Sequence, residues 1–228
     1  MTAHRPIHAW PDHERPRERL LELGAARLSD AELLALLLVT GTRGRSAVEV
    51  ARELLSDCGD LRGALGRARS ELPRGLGIGA AKWATLQAAA EIGRRAQASP
   101  LRRGAAIAAP ADVQLALRAR LRDAESEVFV ALFLDARHQV ICIQDLFHGG
   151  LTGAAVYVGE VVKRALKLGA AALVVAHNHP SGVAEPSAAD RELTERLRQA
   201  LALVEIRLLD HVVVGDASSV SFAERGWL

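Results

Sequence analysis

The stretch AALVVAHNHPSGVAEPSAADRELTERLRQALALV, residues 171–204, decides the fold. AALVVAH reads as a buried strand, an apolar run closed by a turn signal. Pro180-Ser181-Gly182 turns the chain sharply away from it. Ser187-Ala-Ala-Asp190 is then a capping box, the start signal of a helix whose Leu193, Leu197, Leu201 and Val204 fall on one face. A strand feeding a helix, with a second apolar strand in EIRLLDHVVVG just after it, is the grammar of a layered α/β or α+β domain.

The same stretch carries the densest chemistry of the chain. His177 and His179 are two apart at the end of a strand, so a period of two puts both imidazoles on one side. Asp190 opens the helix that follows. Two histidines and a carboxylate are a sufficient protein set for a catalytic zinc ion, which keeps its fourth position for water. The competing reading is a helix cap and an idle loop: S-x-x-D alone stabilises a helix start by about 0.3–1 kcal/mol with no metal at all. The joint pattern H-x-H-P-S-G followed by S-x-x-D is much rarer than either part.

Working outward, the 228 residues suffice for one large or two small domains with a real core. Residues 111–228 predict that central mixed sheet with interleaved helices. DVQLALRARLR is an amphipathic helix. Two apolar runs around Asp135-Ala136-Arg137 read as a β-hairpin, a third strand is expected near 151–157, and GEVVKRALKLG is a helix stopped by Gly169. Residues 16–98 read as a small all-helical domain. Ser29 with Glu32 and Ser46 with Glu49 are capping boxes, and Gly41 between them suits a helix C-terminus. A third helix spans roughly 61–68. A tight Gly77-Ile78-Gly79 turn then precedes a long alanine-rich helix, in the manner of a helix-hairpin-helix element. Residues 99–110 read as a linker and residues 1–15 as a poorly ordered arm.

Charge adds a second functional possibility. Residues 1–104 hold 17 basic and 12 acidic residues, against 12 and 15 in 105–228. A basic first half, with Gly77 and Gly79 able to bring backbone N–H groups to a phosphate and Lys82 nearby, points to DNA as a partner of residues 16–98. Cys58 and Cys142 differ in setting and make no disulfide framework. There is no signal-peptide core and no apolar run of the ~18–20 residues a membrane span needs, so the cytoplasm is the default compartment and no membrane partner is expected.

H-x-H-x7-S-x-x-D resembles the JAMM (MPN+) metalloprotease motif. With HNHPSG, LDHVVVG and the SF-x-E-x-G ending, residues of about 105–226 resemble the RadC-type (UPF0758) JAMM domain, and RERLLELGAARLSDAELLALLLVTGT with GLGIGAAKW resembles that family's helical N-terminal region. The resemblance implies that His177, His179 and Asp190 ligate Zn²⁺, that Ser187 helps stabilise an oxyanion, and that an upstream glutamate at a strand start acts as general base. SEVFVALFLD puts Glu127 in that place, with Glu125 and Glu160 as rivals by type. It implies amide or isopeptide hydrolysis of a peptide or protein substrate. The family's association with DNA repair keeps an alternative open, DNA binding by the helical domain with a metal-dependent nuclease, and a metal-stabilised scaffold is a third. Val158 and Gly159 stand where the family usually has Pro-Arg, which bears on the substrate groove and the helix start.

Overall fold

In a computed structural model the chain forms two compact units, Met1–Gly93 and Arg94–Leu228. The structure describes residues 6–107, 109–149 and 156–228.

The first unit is helical, as expected. It contains α1 (Pro16–Leu23), α2 (Asp30–Leu38), α3 (Ala47–Cys58), α4 (Leu61–Gly66) and the start of α5, which runs Ala80–Gln97 and ends in the second unit. Both predicted capping boxes are made: Ser29 and Ser46 each accept from the N3 amide, and Glu32 and Glu49 reach back to the N-cap amides. Such caps stabilise a helix by about 1 kcal/mol each. Leu34, Leu38, Val48, Val50, Leu54 and Leu86 form the core.

Two local expectations fail here. Helix α2 ends at Val39 rather than Gly41: Val39 takes the positive φ of 63°, and its amide bonds to Ala35 O. Gly41 has a different reason to be glycine, because a Cβ there would overlap the Arg45 carbonyl. The arm expected over 1–15 is folded over 6–15. It makes two 3-10 turns, and Ile7 and Trp10 pack on the helical core. Apolar burial outweighs the two prolines, which sit just before the turns at Pro6 and Pro11.

The second unit is the expected mixed sheet with helices. Its strands are β1 (Val128–Leu134), β2 (Val140–His148), β3 (Ala172–Asn178), β4 (Arg207–Val214) and β5 (Ser219–Ser221), in the order β2-β1-β3-β4-β5. Among the described strands, β3 and β4 pair in parallel and the other neighbours are antiparallel. Between them lies α8 (Ala188–Ala202), the crossover a parallel pair requires. One sheet face carries Val130, Leu132, Val174 and Val212 and is covered by α6 (Pro110–Leu121) through Val113, Ala116 and Leu117. The other carries Phe129, Ala131, Phe133, Leu173 and Val175. It packs against Val161 and Ala165 of α7 (Val158–Leu168) and Leu197 and Leu201 of α8. The central strands β1 and β3 are buried along their whole length, which is why they read as apolar runs without alternation.

The β1–β2 hairpin closes as predicted, with Asp135 Oδ1 accepting from the amides of Arg137 and Gln139. Gly169, in the left-handed region, ends α7. The strand expected near 151–157 falls largely outside the described residues, and Val156 and Tyr157 are not in a strand. The expected linker over 99–110 is bound to the sheet. Leu101 is in its core, Gly104 N–H donates to Val140 O, Val140 N–H donates to Ala105 O, and Pro110 already begins α6. Backbone pairing with β2 accounts for a segment that lacks side-chain periodicity.

Candidate metal centre

His177 lies at the carboxyl end of β3, and His179 follows just beyond it. The sheet continues on both sides of His177, opposite Phe129 of β1 and Val213 of β4, so its position is set by backbone pairing. Phe129 and His177 stack at 6.3 Å. His177 is 1% exposed, whereas His179 is half-buried at the rim. Pro180-Ser181-Gly182 makes the predicted turn, with Gly182 N–H donating to His179 O at 2.9 Å and Gly182 at φ 82°. The returning loop is pinned by Glu185, whose carboxylate takes both Arg225 guanidinium nitrogens at 2.7 and 2.8 Å. Arg191 and Arg225 in turn lie over the Trp227 ring.

Ser187 is the N-cap of α8 and Asp190 its N3 residue, and the box is complete. Ser187 N–H and Oγ–H both donate to Asp190 Oδ2 at 2.7 Å, and Asp190 N–H donates to Ser187 Oγ at 3.2 Å. The cap and the metal site are therefore one construction: the box orients the carboxylate, and the helix start brings it to the histidines. Asp190 Oδ1 is 3.3 Å from His177 Nε2, Asp190 Oδ2 is 3.5 Å from His179 Nε2, and the two Nε2 atoms are 3.0 Å apart. A tetrahedral ion bound at about 2.0–2.1 Å separates neighbouring ligand atoms by roughly 3.3–3.4 Å. The separations lie close to that length, although the two histidines approach different oxygens of the Asp190 carboxylate. His179 Nδ1 is 2.9 Å from Val183 O, an atom that can only accept, so the proton is on Nδ1 and the Nε2 lone pair faces inward. Two nitrogen donors and one carboxylate oxygen within reach of one point fit a divalent cation of the first transition row.

Electrostatics agrees. Burial alone would raise the Asp190 carboxyl, but contacts from His177, His179 and Ser187 outweigh it and hold the group well below the usual carboxylate range. The carboxylate is thus ionised and ready to ligate. The Asp190 carboxylate raises the His179 imidazole above its ordinary value against the opposing effect of burial, with further help from Val183 O and Glu127. The centre attracts positive charge, as proton or as metal.

Glu127 immediately precedes β1 and is partly buried. Side-chain alternation places it on the face of Phe129 and His177, and extending the β1–β3 register by two positions sets it across from His179. Its two flanking residues are tied down by one side chain. Asn178, 2% exposed, accepts Val128 N–H at 2.8 Å and donates to Ser126 O at 3.0 Å and Ala124 O at 3.3 Å. Of the rivals, Glu125 is exposed outside the strand, and Glu160 is exposed on α7, 3.4 Å from Lys163 Nζ. Val158 and Gly159 form the first turn of α7, after an N-cap, Tyr157, whose side chain makes no capping bond.

Sequence reasoning assigned no role to Asn178, Thr194 or His211. His211 is fully buried in β4, with Nε2 2.9 Å from His177 Nδ1 and Nδ1 2.6 Å from Thr194 Oγ1. Burial, reinforced by the neighbouring His177, pushes its imidazole well below the ordinary value, so it is neutral. A histidine inside the apolar run LDHVVVG was the available signal, since a buried polar group requires partners.

In the helical unit, Lys82 Nζ donates to the carbonyls of Thr40 and Gly41, tying α5 to the end of α2. Gly77 has φ 77°, and a Cβ there would overlap the Thr42 methyl, whereas Gly79 has open space around it. Several arginines of this unit are paired internally, as Arg19 with Glu32, Arg45 with Glu53 and Arg67 with Asp57. No helix among the described residues is long and apolar enough to cross a membrane.

The family model described as the RadC-like JAB domain matches residues 107–227, and the UPF0758 N-terminal model matches residues 7–84. A UPF0758 protein of Thioalkalivibrio sulfidiphilus is 58% identical over 98% of this chain and 100% of its own length. Those of Halorhodospira halophila and Stutzerimonas stutzeri are 57% and 54% identical, each over 97% of this chain and 99% of theirs.

Proposed function

The chain belongs to the family of RadC-like JAB-domain proteins with a UPF0758 N-terminal region, and from that premise we propose that it is a zinc-dependent hydrolase of amide or isopeptide bonds, a metallopeptidase acting on a peptide or protein. The observation that carries the reading is the grouping of His177 Nε2, His179 Nε2 and the Asp190 carboxylate, whose ligand atoms lie within 4.8 Å of one another. These three side chains hold the ion. When bound, zinc supplies Lewis acidity, which polarises a scissile carbonyl and lets water yield a nucleophile near neutral pH. Glu127, held at the start of β1, accepts the proton of the attacking water and delivers it to the leaving amine. The Ser187 hydroxyl at the exposed rim turns from Asp190 to donate to the developing oxyanion. His179, its side chain 20% exposed, puts the trio at the edge of the solvent, so water and substrate would reach a bound ion, as a catalytic rather than a structural site requires.

The test compares wild type with Glu127→Gln and Asp190→Ala. Wild type and Glu127→Gln are expected to bind stoichiometric zinc, with only wild type cleaving members of a peptide and isopeptide library. Asp190→Ala is expected to lose the metal. Zinc content well below stoichiometric in wild type, or unchanged in Asp190→Ala, would overturn the metal assignment. Full cleavage by Glu127→Gln would overturn the assignment of the base. DNA cleavage in a parallel arm, without peptide cleavage, would replace the substrate class.

A further inference from the structure

We infer that His211 and Thr194 form a proton-ordered chain that fixes the tautomer of His177, and that they are positioning residues for the metal without touching it. The inference rests on the metal reading of His177, His179 and Asp190.

The argument follows one proton at a time. Thr194 Oγ1 lies 2.6 Å from the Asp190 carbonyl oxygen and 2.6 Å from His211 Nδ1. A carbonyl only accepts, so the single hydroxyl proton must point to Asp190 O; otherwise two acceptors would face each other at that distance. Thr194 Oγ1 is then an acceptor toward His211, and the His211 proton is on Nδ1. A neutral imidazole carries one N–H, so His211 Nε2 is an acceptor. It lies 2.9 Å from His177 Nδ1, which must therefore carry the His177 proton. His177 Nε2 then needs no proton of its own from this chain, so once a cation takes the place between it, His179 and Asp190, its lone pair is free to ligate.

Every link is buried: His177 is 1%, Thr194 2% and His211 0% exposed, so water cannot substitute for a missing partner. The chain also joins three elements, β3, β4 and α8, and it begins on the carbonyl of the ligand Asp190 itself. His179 obtains the same orientation more simply, from the Val183 carbonyl. Partners of this kind typically change metal affinity by about 10–100-fold.

Thr194→Val keeps the shape and removes the acceptor. His211 Nδ1–H would then be buried without a partner, and the relief is to move the proton to Nε2, which donates to His177 Nδ1 and transfers the His177 proton to the metal side. The experiment reads histidine tautomers by long-range ¹H–¹⁵N correlation in the zinc-free full-length protein, and zinc affinity by competition with a chelating dye. Wild type is expected to show Nδ1–H for both His177 and His211. Thr194→Val is expected to shift His177 to Nε2–H and to weaken zinc by about 10–100-fold, with Thr194→Ser restoring both. An Nε2–H tautomer at His177 in wild type would overturn the inference even if Thr194→Val fails to fold. So would a folded Thr194→Val with unchanged tautomer and affinity. Wild-type tautomers as assigned, but no zinc bound, would instead count against the metal reading alone.

Discussion

Replacing Asn178 by alanine tests how Glu127, the proposed general base, is held. The Asn178 amide bridges β3 to the entry of β1, with one bond accepted from Val128 and two donated to Ser126 and Ala124. Truncation removes all three bonds and leaves a buried amide N–H and two carbonyls to be resolvated or left unpaired. At about 0.5–1.5 kcal/mol per bond, with the long 3.3 Å contact at the lower end, the loss sums to roughly 1.5–3.5 kcal/mol. At about 2–4 °C per kcal/mol for a domain of this size, the melting temperature should fall by roughly 3–14 °C. His177, His179 and Asp190, the proposed ligands, are untouched, so zinc stoichiometry should be retained. Amide hydrogen exchange should accelerate at Val128 while the middle of β3 stays protected, and turnover should fall further than zinc affinity. Calorimetry and site-resolved exchange measure both. A melting temperature within 1 °C of wild type, together with unchanged exchange at Val128, would refute the claim that Asn178 holds the backbone on either side of Glu127.

Three further outcomes are expected. Ser187→Ala breaks the capping box at Asp190 and should destabilise the second unit by about 1 kcal/mol in denaturant unfolding, with a measurable loss of zinc affinity because the carboxylate is freed to rotate. Zinc affinity should fall on acidification: the His179 value is raised, so a proton must be displaced from it below a pH somewhat above 6.5, and titrations at a series of pH values should show about a tenfold loss per pH unit there. Gly77→Ala meets both a positive φ and the Thr42 methyl and should destabilise the helical unit by more than about 1 kcal/mol, lowering the melting temperature whether or not DNA is present.

The parts of the molecule that the sequence made legible are those governed by local rules. The capping boxes at Ser29, Ser46 and Ser187, the Asp135 turn and the Gly169 stop all depend on residues within four positions of one another, and all formed. The grouping of His177, His179 and Asp190 was legible for the same reason, since a strand's period of two and a box's spacing of three are short-range facts. Glu127 needed the resemblance, because no local spacing ties it to the histidines; only the β1–β3 register brings it to them. His211 reaches His177 through the pairing of β3 with β4, a relation that no window of sequence contains. The misread segments fail in the opposite way. Residues 99–107 look irregular because a single 3-10 turn anchored by Leu101 and a few backbone bonds from Gly104, Ala105 and Ile107 hold them, and Val39 takes a conformation that the nearby Gly41 seemed to be there to supply.

The spacing of the ligands along the chain has a consequence for the order of assembly. All three lie within fourteen residues, 177–190, so a cation that joins them closes a short loop at small entropic expense. Glu127 and His211 sit fifty and thirty-four positions from His177 and arrive only when the non-local strand pairs have zipped. Metal capture by a nascent β3–α8 unit can therefore precede completion of the sheet. On the proposed reading, loading would be separated in time from competence: a chain still folding would be able to hold an ion before Glu127 is in place beside it.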